Sequence, residues 1–287
     1  MTLITNEIHM LDGFKKTLLI FAADRRLTNP DGSYAGSKRK LFPIPYLEAG
    51  ISYFGLAEVF PKRGRGYLSD WLKDFIIKQS SLKSLRDFAF HLREELHSII
   101  PADILAKNAS GFHLCGYSSQ GLPEFWFLSN IGGMQDFKYA NLQPRYPEPT
   151  ADFLERDARI LGWDGSDPSS IQSASYVYRN GDFRAHVVAF ERLDNVLTDM
   201  LSFPDFKNPN KPEDWVRFKF EFVAYLYKKF ARRQIIGRPI DAFVSRNSCH
   251  DQFVPLPVHG SMSFMDNIKV VGDNEMARSL SRRIAVH

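Results

Sequence analysis

The feature that most constrains this chain is a pair of β-favouring runs at its start, residues 2–10 and 17–24. The segment between them contains Asp12-Gly13, and an Asp-Gly step between two such runs is a strong short-range signal for a β-hairpin. A hairpin brings the first residues of the chain next to the end of the second run. The sequence therefore predicts two long neighbouring strands with the start of the chain held beside them.

The register of this hairpin decides which side chain meets the first residues. If Leu11 faces Lys15 across a three-residue turn, Thr2 lies opposite Asp24. A two-residue turn would slip the pairing and set Thr2 opposite Ala23. The three-residue register places a hydroxyl at the start of the chain beside a carboxylate at the end of a buried strand. That arrangement indicates a nucleophile whose base is its own amino group.

This chemistry requires the removal of Met1, and a small second residue such as threonine is what initiator-methionine excision tolerates. Thr2 would then be the mature N-terminus. Its α-amine is the natural base, because the unperturbed pKa of such an amine is about 7.7 to 8.0, against about 10.4 for a lysine side chain. Near neutral pH a useful fraction of the amine is therefore free.

Three stretches near this hairpin resemble the proteasome β-subunit family, which includes the peptidase subunit of the bacterial ATP-dependent HslV protease and whose members begin at a catalytic threonine. In chain order the stretches are Ala22–Thr28, Ser37–Ile44 and Ala49–Ala57. Asp24 and Lys40 have the separation that the family uses between its active-site carboxylate and lysine. The distance from Thr2 to Asp24 is longer by an even number of residues, which we expect to lengthen both strands equally and to keep these two residues opposite each other.

The resemblance implies a catalytic site made of Thr2, Asp24, Lys40 and the backbone N–H of Gly55 as the oxyanion donor. A charged Lys40 about 4 Å from the amine, at an effective dielectric of about 20, would add roughly 4 kcal/mol of repulsion against protonation of the amine. That repulsion is enough to move the pKa of the amine below neutrality. Asp24 would hold Lys40 in place and offset part of the cost of burying its charge.

The same resemblance implies a substrate-binding strand and a specificity pocket. Arg26 would support the site, Leu27 and Thr28 would run beside the substrate, and Tyr53 and Ala57 would line the pocket, which an aromatic Tyr53 should restrict. The implied substrate is a peptide or an unfolded protein. The implied assembly is a homo-oligomeric ring with active sites facing an internal chamber, and an ATP-dependent unfoldase is a partner that the resemblance allows and nothing in the chain requires.

Beyond the hairpin, the hydrophobic patterns predict an α+β fold. Ser84, followed three residues later by Asp87, is expected to cap the second helix. The predicted elements are short strands near 40–44 and 51–56, amphipathic helices over 68–76 and 85–99, strands at 111–117, 123–130 and 175–178, helices near 185–201 and 212–233, and a strand over 237–244. The resemblance implies that they form the four-layer α/β/β/α sandwich of N-terminal-nucleophile (Ntn) hydrolases, of the proteasome subunit type.

Domain boundaries follow from composition. Residues 132–172 are rich in Gly, Pro, Asp and Ser and have poor periodicity, so they are expected to be an irregular insertion. The predicted domain covers residues 1–255, and residues 256–287 form a C-terminal extension.

The composition narrows the classes of function. A hydrophobic fraction of 44% in 287 residues supports a sizeable core, and a net charge of +4 does not indicate a nucleic-acid partner. Two cysteines are too few for a disulfide framework or a metal cluster, so a reducing, cytoplasmic setting is expected. No apolar run approaches the roughly 20 residues of a membrane span. Neither a metal nor a cofactor is expected.

One departure from the family keeps other functions open. The family supports its nucleophile with an Asp and a Ser just before the strand that begins here at Gly237, and the aligned stretch Arg232–Ile236 contains neither. Their absence favours a catalytically inactive proteasome-like structural or binding subunit, and a small-molecule Ntn amidase is a further alternative. Ser118 lacks the second glycine of a nucleophile elbow, and Cys115 lies in an apolar strand, so we interpret them as a loop serine and a packing residue.

Overall fold

The computed structural model describes residues 2–10, 17–29, 33–60, 64–135, 138–160, 174–181 and 240–246. Within these ranges the chain is a mixed α/β structure with many strands and few helices. The strands are β1 (Leu3–Met10), β2 (Thr17–Asp24), β3 (Arg26–Thr28), β4 (Tyr34–Ser37), β5 (Leu41–Ile44), β6 (Ala49–Phe54), β7 (Glu58–Val59), β8 (Gly66–Tyr67), β9 (Gly111–Tyr117), β10 (Pro123–Ser129), β11 (Ile131–Gln135), β12 (Lys138–Leu142), β13 (Thr150–Phe153), β14 (Ala174–Gly181) and β15 (Ile240–Arg246). The helices are α1 (Leu68–Lys78), α2 (Leu85–Ile99), α3 (Ala102–Leu105) and α4 (Glu155–Ile160), with a 3-10 turn at Pro45–Leu47.

The predicted N-terminal hairpin is present, but its register differs from both predicted registers. Strands β1 and β2 pair antiparallel with Ile4 opposite Ala23. Continued by one residue, this register sets Leu3 opposite Asp24. The sequence predicted Thr2 opposite Asp24, so that predicted register is wrong by one residue. Residues 11–16 connect the two strands. These connecting residues lie outside the described ranges.

Two antiparallel sheets stack face to face and position the hairpin. The first sheet has the strand order β14-β1-β2-β15, and the second has the order β13-β10-β9-β6-β5. Apolar side chains from both sheets fill the space between them, among them Ile8 of β1, Phe21 of β2 and Phe125 of β10. The hairpin is therefore the centre of the first sheet, and every residue of β1 and β2 is buried.

Helices α1 and α2 cover the other face of the second sheet. Their predicted apolar faces are buried against it, and Ser84 caps α2 as predicted by accepting the N–H of Asp87 at 3.0 Å. The described residues thus form three layers: helices, sheet and sheet. The helices predicted over 185–201 and 212–233, which would supply the fourth layer, lie outside the described residues, so the four-layer sandwich stays a prediction.

The stretch expected to be an irregular insertion is partly regular, which corrects that expectation. Strands β11 and β12 pair with each other, β13 joins the edge of the second sheet beside β10, and α4 follows. These elements are only four to six residues long, too short to produce a periodic hydrophobic signal. The strands predicted near 175–178 and 237–244 are confirmed as β14 and β15, which flank the hairpin. The domain boundary stays a prediction, because the extension 256–287 lies outside the described residues.

Candidate active site

A buried ion pair lies at one end of the two sheets. Asp24 ends β2, Lys40 directly precedes β5, and Lys40 Nζ lies 3.2 Å from Asp24 Oδ1. The side chain of Asp24 is 0% exposed and that of Lys40 is 1% exposed. Lys40 Nζ also donates to the carbonyl oxygen of Arg26 at 2.6 Å. The structure thus brings together the carboxylate and the lysine that the sequence pattern singled out.

Asp24 also accepts hydrogen bonds from two main-chain N–H groups. The N–H of Leu3 donates to Oδ1 at 2.9 Å, and the N–H of Arg26 donates to Oδ2 at 3.2 Å. The carboxylate therefore ties together the start of β1, the start of β3 and the residue before β5. Because Leu3 directly follows Thr2, the first bond holds the peptide unit next to the predicted nucleophile. Thr2 itself is only 5% exposed.

Burial shifts the pKa values of both charged groups. It raises the pKa of Asp24 above the ordinary 3.8, and the charge of Lys40 and the N–H of Leu3 only partly oppose this shift. Burial also lowers the pKa of Lys40 below the ordinary 10.5, and Asp24 partly opposes that shift. Asp24 therefore favours the charged form of Lys40 against the effect of burial, and opposed shifts of this kind are common at functional sites.

Gly55 lies at the same end of the second sheet as Lys40. It directly follows β6, and two residues earlier the N–H of Tyr53 donates to the carbonyl of Lys40 at 3.1 Å. The φ angle of Gly55 is +87°, a region that side chains disfavour. A Cβ atom there would lie 1.9 Å from the carbonyl oxygen of Ala109. Both conditions require glycine at this position, and the role of its N–H as oxyanion donor stays a prediction.

The residues expected beside the substrate form β3, next to the ion pair. Arg26, Leu27 and Thr28 are all half-buried, and β3 pairs with β4 so that Leu27 lies opposite Gly36. The guanidinium carbon of Arg26 lies 4.9 Å from the ring centre of Tyr34, within the range of a cation–π contact. The main chain of β3 is thus attached to the buried pair, while its side chains stay partly accessible.

Tyr53, which the resemblance places in the specificity pocket, lies in the core. Its side chain is packed with those of α1 and α2, and only 1% of the residue is exposed. Its ring centre lies 6.2 Å from that of Phe112, and its hydroxyl donates to the carbonyl of Arg39 at 3.1 Å. Ala57 is half-buried between β6 and β7, and its carbonyl accepts the N–H of Leu68 at 2.8 Å.

Strand β15 reaches the same end of the first sheet. Ile240 lies opposite Asp24, and the next residue, Asp241, accepts a hydrogen bond from Arg25 Nε at 2.7 Å. The C-terminal strand is therefore joined to the segment that links β2 to β3. Residues 232–236, where the family carries its supporting Asp and Ser, lie outside the described residues.

Sequence reasoning missed two parts of this region. One is the N–H of Leu3, which carries no sequence signal because every residue except proline has such a group. The other is a buried polar chain between the two sheets, whose members are Asn6, Ser52, His113, Tyr139 and Asn180. A signal for this chain was present at His113, which interrupts a largely apolar strand, whereas Asn6 stands in a strand that also contains Thr5, Glu7 and His9.

No group of three or more His, Cys, Asp or Glu residues in the described ranges is arranged to hold a metal ion. Among the same residues, no helix has the length and apolar character needed to cross a bilayer.

Comparison with known proteins gives a structural likeness at low sequence identity. No protein-family model and no curated protein matches this chain. Among solved structures the chain is similar to Anbu (ancestral beta-subunit) from Yersinia bercovieri, with 12% sequence identity and a TM-score of 0.36. The match covers 99% of this chain and 97% of that chain. Because such values do not establish membership of a family, a functional interpretation has to come from the contacts around Asp24.

Proposed function

We propose that this protein is a proteasome-like threonine peptidase whose nucleophile is the hydroxyl of Thr2, made N-terminal by removal of Met1. The observation that supports the proposal is that one buried carboxylate, Asp24, contacts both Lys40 Nζ and the N–H of Leu3. A buried ion pair contributes little stability by itself, because desolvation consumes most of the Coulomb attraction. Its attachment to the residue after Thr2 favours a chemical role.

In the proposed reaction, the α-amine of Thr2 takes the proton of the threonine hydroxyl while the oxygen attacks the carbonyl carbon of a peptide bond. The C–N bond then breaks, the leaving amine takes that proton, and an ester remains on Thr2. Water hydrolyses the ester, which releases the carboxylic acid and restores the hydroxyl. The N–H of Gly55 would stabilise the oxyanion in both steps.

The proposed role of the ion pair is to keep the amine unprotonated. A charged Lys40 near the amine would oppose its protonation, because two positive charges repel each other. Asp24 holds Lys40 at 3.2 Å and binds the N–H of Leu3 at 2.9 Å, so the same carboxylate would orient both the lysine and the backbone of the nucleophile.

The proposal includes the assembly and the substrate class that the resemblance implies. The substrate would be a peptide or an unfolded protein, handled inside a homo-oligomeric ring in the cytoplasm, with an ATP-dependent unfoldase as an optional partner. Neither a nucleic acid nor a membrane takes part. Cleavage of small amides without cleavage of peptides would identify the protein as an Ntn amidase instead.

A non-catalytic subunit of the same fold is the second candidate, and the sequence Arg232–Ile236 favours it. This stretch lacks the Asp and the Ser with which the family supports its nucleophile. In such a subunit, Asp24 and Lys40 would only hold the start of β1 in place.

Intact-mass spectrometry before and after incubation with an epoxyketone probe for N-terminal threonines tests the proposal. We expect the purified protein to lack Met1 and to gain the mass of one probe molecule. The matched variants are Thr2→Ala, which should lose Met1 and take no adduct, and Thr2→Ser, which keeps a hydroxyl and should react. A chain that keeps Met1 and takes no adduct would refute the peptidase and support the structural subunit.

A further inference from the structure

A chain of hydrogen bonds crosses the core between the two sheets, and the proposed reaction does not use it. His113 Nδ1 donates to Asn6 Oδ1 at 3.1 Å, and the same oxygen accepts the Ser52 hydroxyl at 3.2 Å. At the other ring nitrogen, Asn180 Nδ2 donates to His113 Nε2 at 3.0 Å. Asn180 Oδ1 accepts the hydroxyl of Tyr139 at 2.9 Å. These contacts connect β1, β6, β9, β14 and β12.

With the side-chain amides as placed, each contact of this chain pairs one hydrogen-bond donor with one acceptor. Asn6 Oδ1 can only accept, which assigns the imidazole proton of His113 to Nδ1 and leaves Nε2 to accept the amide of Asn180. The oxygen of Asn180 is then available to the Tyr139 hydroxyl. Asn6 and His113 are 0% exposed and Asn180 is 5% exposed. A polar chain in such a buried place restrains the positions of its members, because moving one of them would leave its buried neighbours without their hydrogen-bond partners.

The last link of the chain reaches the residue that packs on Thr2. The N–H of Gly181 donates to the hydroxyl oxygen of Tyr139 at 2.8 Å, and Gly181 lies opposite Leu3 in the first sheet. Gly181 has a φ angle of +113°, and a Cβ atom on it would lie 1.7 Å from the carbonyl oxygen of Thr2. Glycine is therefore required at this contact.

The peptide unit between Thr2 and Leu3 is consequently held on both edges. Its N–H donates to Asp24 on the β2 side at 2.9 Å, and its carbonyl oxygen packs against Gly181 on the β14 side. The first contact belongs to the predicted catalytic group. The second involves Gly181, whose N–H binds Tyr139, a residue in the stretch that sequence reasoning took for an irregular insertion.

We infer that Tyr139 is a positioning residue for the nucleophile: through the N–H of Gly181 it sets how closely β14 approaches the carbonyl of Thr2. The catalytic part of this inference rests on the proposed function, whereas its structural part does not. A displacement of about 1 Å in a reacting group can lower a rate about 100-fold. Loss of the Tyr139 hydroxyl would remove this acceptor from the N–H of Gly181, and the pairing of β14 with β1 and the Asp24 contact would remain as restraints on this peptide unit.

The test compares Tyr139→Phe with Tyr146→Phe. Each variant loses one tyrosine hydroxyl, and the Tyr146 hydroxyl bonds to Ser110 Oγ at 2.9 Å in the helix-side core. The ring of Tyr139, 5.6 Å from that of Phe54, is kept, so the fold should be retained. Inactivation by the epoxyketone probe is measured as a maximal rate and a half-saturating concentration, over a range of pH. Hydrogen exchange is measured on the peptide that covers β1.

We expect Tyr139→Phe to lower the maximal inactivation rate about tenfold or more without changing the half-saturating concentration or the midpoint of the pH profile, since Asp24 and Lys40 are untouched. Exchange at the start of β1 should be faster than in Tyr146→Phe. Equal rates in the two variants, with equal exchange, would overturn the inference while the peptidase stands. If the unchanged protein takes no probe, the proposed function fails, and the exchange comparison alone supports or overturns the positioning contact.

Discussion

Replacing Lys40 by methionine tests the buried ion pair directly. The variant keeps a long unbranched side chain but removes the cation, so Asp24 stays at 0% exposure with only two N–H donors, those of Leu3 and Arg26. Removing one partner of a buried pair costs about 3–5 kcal/mol. Because two donors remain on the carboxylate, we expect a loss near the lower end, about 3 kcal/mol in the free energy of unfolding.

A double-mutant cycle separates this effect from simple loss of packing. Asp24→Asn and the double variant with Lys40→Met complete the cycle, and stability is measured by chemical denaturation followed by circular dichroism at pH 7. No buried charge remains in the double variant, so its loss should be smaller than the sum of the single losses by about 1.5 kcal/mol or more. Losses that add within about 0.5 kcal/mol would refute the coupling.

The loss of unfolding free energy in Lys40→Met should also depend on pH. The titration of Asp24 decides whether this loss grows or shrinks as pH rises. Burial raises the folded-state pKa of this carboxyl above 3.8, and removal of the cation raises it further. Between the unfolded and the folded pKa, the folded chain binds a proton that the unfolded chain does not bind, so stability falls as pH rises through this window. The loss is therefore smallest at or below about pH 3.8 and grows toward neutral pH. A loss that is the same at every pH would contradict the assignment of a buried carboxylate.

Two further predictions concern backbone and burial. Gly55→Ala should destabilise the fold more than Gly121→Ala, because both glycines have a positive φ, +87° and +75°, but only a Cβ on Gly55 meets another residue, the carbonyl oxygen of Ala109 at 1.9 Å. The backbone strain at a positive φ alone costs about 1–3 kcal/mol. Equal shifts of the melting temperature in the two variants would show that the contact with Ala109 does not matter. A separate prediction concerns Cys115, which should resist iodoacetamide at pH 8 until the chain unfolds, because burial raises the pKa of its thiol and the residue is 0% exposed. Mass spectrometry of a variant whose other cysteine is serine measures this, and rapid labelling of the folded chain would contradict it.

Elements with local signals were predicted correctly from sequence. The two hairpin strands, the strand 111–117 and the capped start of α2 at Ser84 all depend on patterns within a few residues. The separation of Asp24 and Lys40 was likewise visible, and the structure joins them at 3.2 Å. The resemblance implies that Tyr53 lines a substrate pocket, whereas the structure packs its side chain with those of α1 and α2, and a match of sequence motifs does not show how deeply a side chain is buried.

Among the described residues outside 132–172, the sequence by itself determined which segments become strands and helices, since hydrophobic periodicity is a local property of the chain. Its resemblance to a known family singled out Asp24 and Lys40. Only the tertiary structure decided that Asp24 binds the N–H of Leu3, because a shift of one position in register, set by the length of the connection between β1 and β2, changes which main-chain group meets the carboxylate. The same holds for the link from Tyr139 to Gly181. Main-chain N–H groups are nearly identical along any sequence, so packing alone selects which of them holds the peptide unit of Thr2.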